Sequence, residues 1–178
     1  MKKVVLITAI VLILYGSKAF SQTNGSDSKK WAFETELVQP FIPEVGIIRV
    51  QATRSLTKKN DLIIGAYIRP NVEHDIVETI NEYLFILGYR QYIWKGLHVE
   101  AKSNIGFAEG KMNKIDGKDY NNFSWFWEAN AGYKIKLNQT FYVTPQFGVI
   151  SSISSDIGPR GGKSDTFAQG SLLLGIKF

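Results

Sequence analysis

The chain has 178 residues, with 21 basic and 16 acidic side chains, 44% hydrophobic content and no cysteine. The missing cysteine excludes a disulfide framework, a thiolate-bound metal and an acylated lipoprotein anchor. The small basic excess gives no reason to expect a nucleic-acid partner.

Residues 1–21 read as a secretory signal. Lys2 and Lys3 form a charged start, Val4 to Tyr15 an apolar stretch, and Gly16 to Ser21 supply small residues ahead of a cut before Gln22. The competing reading is an anchor helix, but the apolar run of 12 residues falls short of the ~20 that a spanning helix needs. Removing the segment leaves 178 − 21 = 157 residues, one domain's worth, with net charge 18 − 16 = +2. Residues 22–29 are polar and read as a flexible lead-in, so the expected domain is 30–178. It contains no long apolar run, so entry into a membrane requires a closed barrel.

From Trp31 onward, eight segments alternate with a period of two, which sends successive side chains to opposite faces of a strand. About 30–38 sets Trp31, Phe33, Thr35 and Leu37 against Glu34 and Glu36. About 46–56 sets Ile48, Val50 and Ala52 against Arg49, Gln51, Thr53 and Ser55. About 61–69 sets Leu62, Ile64, Ala66 and Ile68 against Gly65, Tyr67 and Arg69. About 82–94 sets Tyr83, Phe85, Leu87 and Tyr89 against Gly88 and Arg90, with Leu84 and Ile86 breaking the polar parity. About 97–107 sets Leu97, Val99, Ala101 and Ile105 against His98, Glu100, Lys102 and Asn104. About 122–136 carries Phe123, Trp125, Trp127 and Tyr133 on one face and Ser124, Glu128, Asn130 and Lys134 on the other. About 140–152 opposes Phe141, Val143, Phe147 and Val149 to Thr144, Gln146, Gly148 and Ser152. The last segment, to Phe178, opposes Leu172, Leu174 and Ile176 to Gln169, Ser171, Gly175 and Lys177, broken only by Leu173.

The connections alternate in length. Residues 57–60, 95–96 and 137–139 are tight turns, whereas 39–45, 70–81, 108–121 and 153–166 are longer. Short turns on one side and long loops on the other are the layout of outer-membrane barrels, and an even strand number brings both termini to the short side. Residues 73–83 are a candidate helical turn, though too short to be stable alone.

With its signal segment, eight alternating strands, loop asymmetry and terminal Phe178, the chain resembles the small eight-stranded outer-membrane barrels, such as the barrel of outer membrane protein A and outer membrane protein X. The junction Ala19-Phe20-Ser21-Gln22 resembles export signals of Bacteroidetes-type bacteria. The resemblance implies an all-β, eight-stranded antiparallel up-and-down transmembrane barrel in the bacterial outer membrane. Its partners would be membrane lipid, lipopolysaccharide and, through the final strand, the barrel assembly machinery. It also implies a monomer with a structural or surface-interaction role.

By parity, the lumen receives Glu34, Glu36, Arg49, Gln51, Tyr67, Arg69, Arg90, His98, Glu100, Lys102, Glu128, Asn130, Lys134, Gln146 and Lys177. Eight strands leave an interior just wide enough for side chains to fill. The expected arrangement is a salt-bridge and hydrogen-bond network, because each buried charge needs a partner. A narrow channel for water or small solutes is the alternative. A soluble exported lipocalin-like ligand binder is a further one, but it would need the reverse parity.

No catalytic, cofactor or metal site is expected. His98, Glu100 and Ser103 invite comparison with a lipid A deacylase on a barrel of this size, but His98 and Ser103 have opposite parity. Glu73, His74, Asp75 and Glu78 read as a solvated loop, since their spacing lacks the geometry of an oxygen-ligand cation site. Lys111, Lys114, Lys118, Arg160 and Lys163 make two long loops basic and suited to anionic lipopolysaccharide head groups. Outward Trp31, Phe123, Trp125, Trp127, Tyr133, Phe141 and Phe178 are expected to form aromatic belts.

Overall fold

The computed structural model describes residues 30–43, 45–73, 77–155 and 166–178. The proposed signal, the lead-in, His74, Asp75, Arg160 and Lys163 lie outside them. Nine strand segments follow in chain order: β1 Trp31–Glu36, β2 Ile48–Thr57, β3 Asn60–Glu73, β4 Val77–Trp94, β5 Leu97–Asn113, β6 Tyr120–Tyr133, β7 Ile135–Lys136, β8 Phe141–Ser155 and β9 Thr166–Lys177. A 3₁₀ turn at Gln39–Phe41 lies between β1 and β2.

Every pairing is antiparallel, between neighbours in sequence, and β1 also pairs with β9. The two-residue β7 is separated from β6 only by Lys134, and both pair with β8. Together β6 and β7 make one stave, so the sheet closes as an eight-stave barrel. Closure leaves no edge strand exposed. The first and last staves meet at Ala32↔Lys177, beside the short turns. Among the described residues, no helix is long and apolar enough to cross a membrane.

The strands run further than the sequence suggests. β4 has 18 residues and β5 has 17, whereas about 9–11 tilted residues cross a bilayer. Most of 70–81 and of 108–121, expected as loops, is therefore paired sheet, and the described residues of the expected helical turn at 73–83, which are 73 and 77–83, are strand. Polar composition hid this extension. Val72, Val77, Ile80 and Ala108 pack as a small apolar cluster inside it, and a bulge between Arg69 and Val72, with Asn71 at φ 49°, re-registers β3 against β4.

The barrel is inverted relative to a soluble protein. Glu34, Arg49, Arg90, Glu100, Lys102 and Glu128 are buried, while Tyr83, Phe85, Phe107, Phe123, Trp125, Trp127 and Phe147 are exposed. The expected belt residues Trp31, Tyr133 and Phe141 are exposed as well.

Candidate functional site

The central cluster of the lumen gathers charge from five staves. At its centre, Arg90 on β4 donates from Nη1 and Nη2 to the two oxygens of Glu34 on β1, both at 2.8 Å. Its Nε donates to Glu100 Oε2 on β5 at 2.9 Å. This fork geometry is what guanidinium offers and ammonium does not. Glu34 also accepts from Gln51 Nε2 at 2.6 Å and from the Tyr142 hydroxyl at 2.7 Å.

Glu100 passes the chain of charge to Lys102, whose Nζ lies 2.6 Å from Oε1 as an ion pair without hydrogen-bond alignment. Lys102 lies 3.6 Å from Glu128 on β6, and Glu128 accepts from Arg49 Nη2 on β2 at 2.7 Å. Asn104 and Asn130 also donate to Glu128. Three carboxylates thus face three cations, and this cluster is charge-neutral. That balance is the condition on which charges can be held in a dry interior.

Nearer the short turns, His98 faces Tyr92 edge-on at 5.5 Å. His98 Nδ1 lies 3.0 Å from Gly96 O, which can only accept, so Nδ1 carries the proton; in the neutral ring Nε2 accepts from Gln146, 3.3 Å away. Gln146 in turn accepts from Ser171. Lys134 Nζ sits 3.7 Å from Asp61, 4.5 Å from the ring centre of Tyr142 and 5.0 Å from that of Tyr92. Lys177 is half-buried at the turn-side mouth.

Two expected network members stand apart. Glu36 forms no ion pair among the described residues; its Oε1 accepts the backbone N–H groups of Leu172 and Val38. Arg69 donates to Val45 O and lies 3.7 Å from Glu82, whose other contact is the Tyr67 hydroxyl. Both lie toward the long-loop end of their strands, outside the hydrogen bonds and ion pairs of the central cluster.

The lumen is not uniformly polar. Ile63, Tyr67, Leu84 and Ile86 form a buried apolar cluster, with Ile47 and Phe126 packed against it. Leu84 and Ile86 do face inward; their place is structural rather than a lapse of alternation. Arg49 bridges the two environments, with Cζ 5.9 Å from the Tyr67 ring centre. Parity reading also missed Tyr142, Asp61, Glu82 and Leu173, although their numbering matches inward neighbours on their own strands. Tyr142 crosses the lumen only because Gly175 faces it: a Cβ there would stand 2.0 Å from the ring.

Ser103 lies on the outer face, where its Oγ accepts from Trp125 Nε1 at 2.8 Å, while His98 is buried inside. The two do not meet. No group of three or more potential metal ligands occurs among the described residues. At the β5–β6 connection, a hydrogen bond from the Tyr120 hydroxyl holds the Asp116 carboxyl below the ordinary value, and the Met112 N–H does the same for Asp119.

No family model matches this chain, and no curated protein does. Among solved structures, the chain is similar to the N-terminal β-barrel domain of Pseudomonas aeruginosa OprF, with 12% identity and a TM-score of 0.50 over 85% of this chain and 98% of that one. At this identity the likeness speaks to the fold, a β-barrel.

Proposed function

We propose that this chain is an integral outer-membrane barrel whose role is structural or surface-interactive, with a lumen closed to steady flow. One observation carries the reading: charges are buried within the ring and large aromatics exposed around it. In water, an apolar surface of that extent is an aggregation liability; in lipid, it is the stable arrangement. A lipocalin-like soluble binder needs an apolar interior, and six buried charges joined by ion pairs in the lumen argue against it.

Closure of the lumen is supported by the charge-neutral cluster and by the apolar cluster beside it, which offers water no partners. The narrow-channel reading has one observation in its favour. Arg49 Nε and Nη1, Gln51 Oε1, Asn104 Oδ1 and Thr144 Oγ1 are buried without a protein partner, and bridging waters would satisfy them. Membrane fractionation tests the first part: recovery with outer membranes and a heat-modifiable gel shift in detergent are expected, and recovery in the soluble periplasm would overturn it. Planar-bilayer recording tests the second: the closed lumen passes no steady current, and a stable unitary conductance would establish the channel instead.

A further inference from the structure

The turn-side mouth of the barrel opens into a cup of about 780 Å³. Lys30, Lys58, Lys95, Lys134, Lys136 and Lys177 line it, against a single carboxylate, Asp61. Asp61 is already engaged by the Tyr92 hydroxyl at 2.9 Å and by Lys134 at 3.7 Å. The other five lysines make no ion pair among the described residues. A recess of about 520 Å³ adjoins the cup and shares Lys134, Lys136 and Lys177 with it.

The opposite end of the barrel handles its cations differently. There Lys111 lies 2.7 Å from Glu109 and 3.2 Å from Asp119. Lysines at the turn side come from two short connections (Lys58 and Lys95), from the stave of β6 and β7 (Lys134 and Lys136), from β9 (Lys177) and from the residue before β1 (Lys30), yet they converge on one concavity. Like charges gathered on a concave, low-dielectric wall raise the local potential and repel one another until an anion enters. The lining cations are lysines throughout, with no guanidinium among them. Ammonium groups act as compact, hydrated point charges, matched to an anion of high charge density rather than to a planar carboxylate read by a fork. The cup volume falls in the range of small-molecule sites.

We propose that the turn-side cup is a binding site for a phosphate-bearing anion, held by the lysine ring with Lys134 at its floor. The phosphate can come from a free oligophosphate or from a lipid head group, and the test separates these. It does not depend on the membrane reading, because the first arm uses the full chain folded in zwitterionic detergent.

Inorganic tripolyphosphate is titrated calorimetrically. Saturable binding that weakens as salt rises is expected, because screening acts on exposed charges. The triple variant Lys95→Gln, Lys136→Gln, Lys177→Gln should bind about tenfold more weakly or worse, while Lys111→Gln, Lys114→Gln, Lys118→Gln at the other end should bind as the parent does. In the second arm the protein is placed in nanodiscs with and without phosphatidylglycerol, and amide shifts are mapped. Shifts confined to the mouth around Thr53, Tyr92 and Gly96 with phosphatidylglycerol, without triphosphate binding, assign the head group as the source. No saturable response in either arm, or equal loss in the loop-side variant, would overturn the proposal. If the triple variant does not fold, amide shifts in the parent decide: a response at the turn-side mouth supports the site, and one spread over both ends refutes it.

Discussion

Two regions of one lumen are built on different physics. The charged cluster of Glu34, Arg90, Glu100, Lys102, Glu128 and Arg49 is held by directional, mutually dependent contacts. The apolar cluster of Ile63, Tyr67, Leu84 and Ile86 is held by packing. Removing one member of the first strands a charge, whereas removing part of the second leaves a cavity. The first region is therefore the more fragile to single changes, although it adds less to net stability than its number of contacts suggests.

Breaking the charged region should have the largest effect. Arg90→Met leaves Glu34 and Glu100 without their shared cation and is expected to cost about 3–5 kcal/mol, read as the unfolding midpoint in lipid vesicles. Adding Glu34→Gln should recover part of that loss, and additivity of the two changes would show that the pair is not coupled. In the apolar region, Ile86→Ala is expected to cost about 2–4 kcal/mol by cavity formation, with no recovery from any charge change. The same variant should raise water permeability in proteoliposomes, because it thins the layer that offers water no partners. Beside the charged region, Gly175→Ala sets a methyl against the Tyr142 ring, whose hydroxyl donates to Glu34. It is expected to cost about 1–3 kcal/mol through displacement of that ring, measured in the same unfolding assay.

The smallest effect lies outside the lumen. Asp116 and Asp119 are held below the ordinary value of 3.8 by hydrogen bonds within the β5–β6 connection. A depressed folded value means that their contribution is complete above the unfolded value and is lost as pH falls through the folded one. Protection of the Met112 and Lys118 amides, taken as their exchange rate relative to that of an unstructured chain at the same pH, should therefore persist at neutral pH and fall only below about pH 4, while lumen amides stay protected. Loss of protection at Met112 already at pH 6 would contradict this.

The two regions were not equally legible in the sequence. Several charged residues sit between outward apolar neighbours, as with Arg49 between Ile48 and Val50 and Glu128 between Trp127 and Ala129, so period two reveals both their face and their company. The apolar members sit in unbroken runs, Leu62-Ile63-Ile64, Tyr83 to Leu87 and Leu172 to Leu174. There both faces are apolar, alternation disappears, and only the neighbouring staves decide which side is the lumen. Pairing partners were likewise invisible: Arg90 and Glu34 lie 56 positions apart, and only closure of the ring through β1 and β9 brings them together. Strand ends were misjudged for a related reason. Polar residues at the ends of β3, β4 and β5 stay in the sheet because their backbone partners, not their side chains, hold them there.

The central claim is that the aromatic exterior contacts lipid. Tryptophan quenching by brominated phospholipids tests it most directly, because Trp125 and Trp127 lie on the outer face and are half-open to the surroundings. The barrel reconstituted in vesicles should show strong quenching of its tryptophan emission, reduced in Trp125→Phe, Trp127→Phe, where only Trp31 and Trp94 remain among the described residues, with aqueous iodide quenching Trp125 and Trp127 little. Emission that is quenched by iodide and indifferent to brominated lipid would place those faces in water and contradict the account.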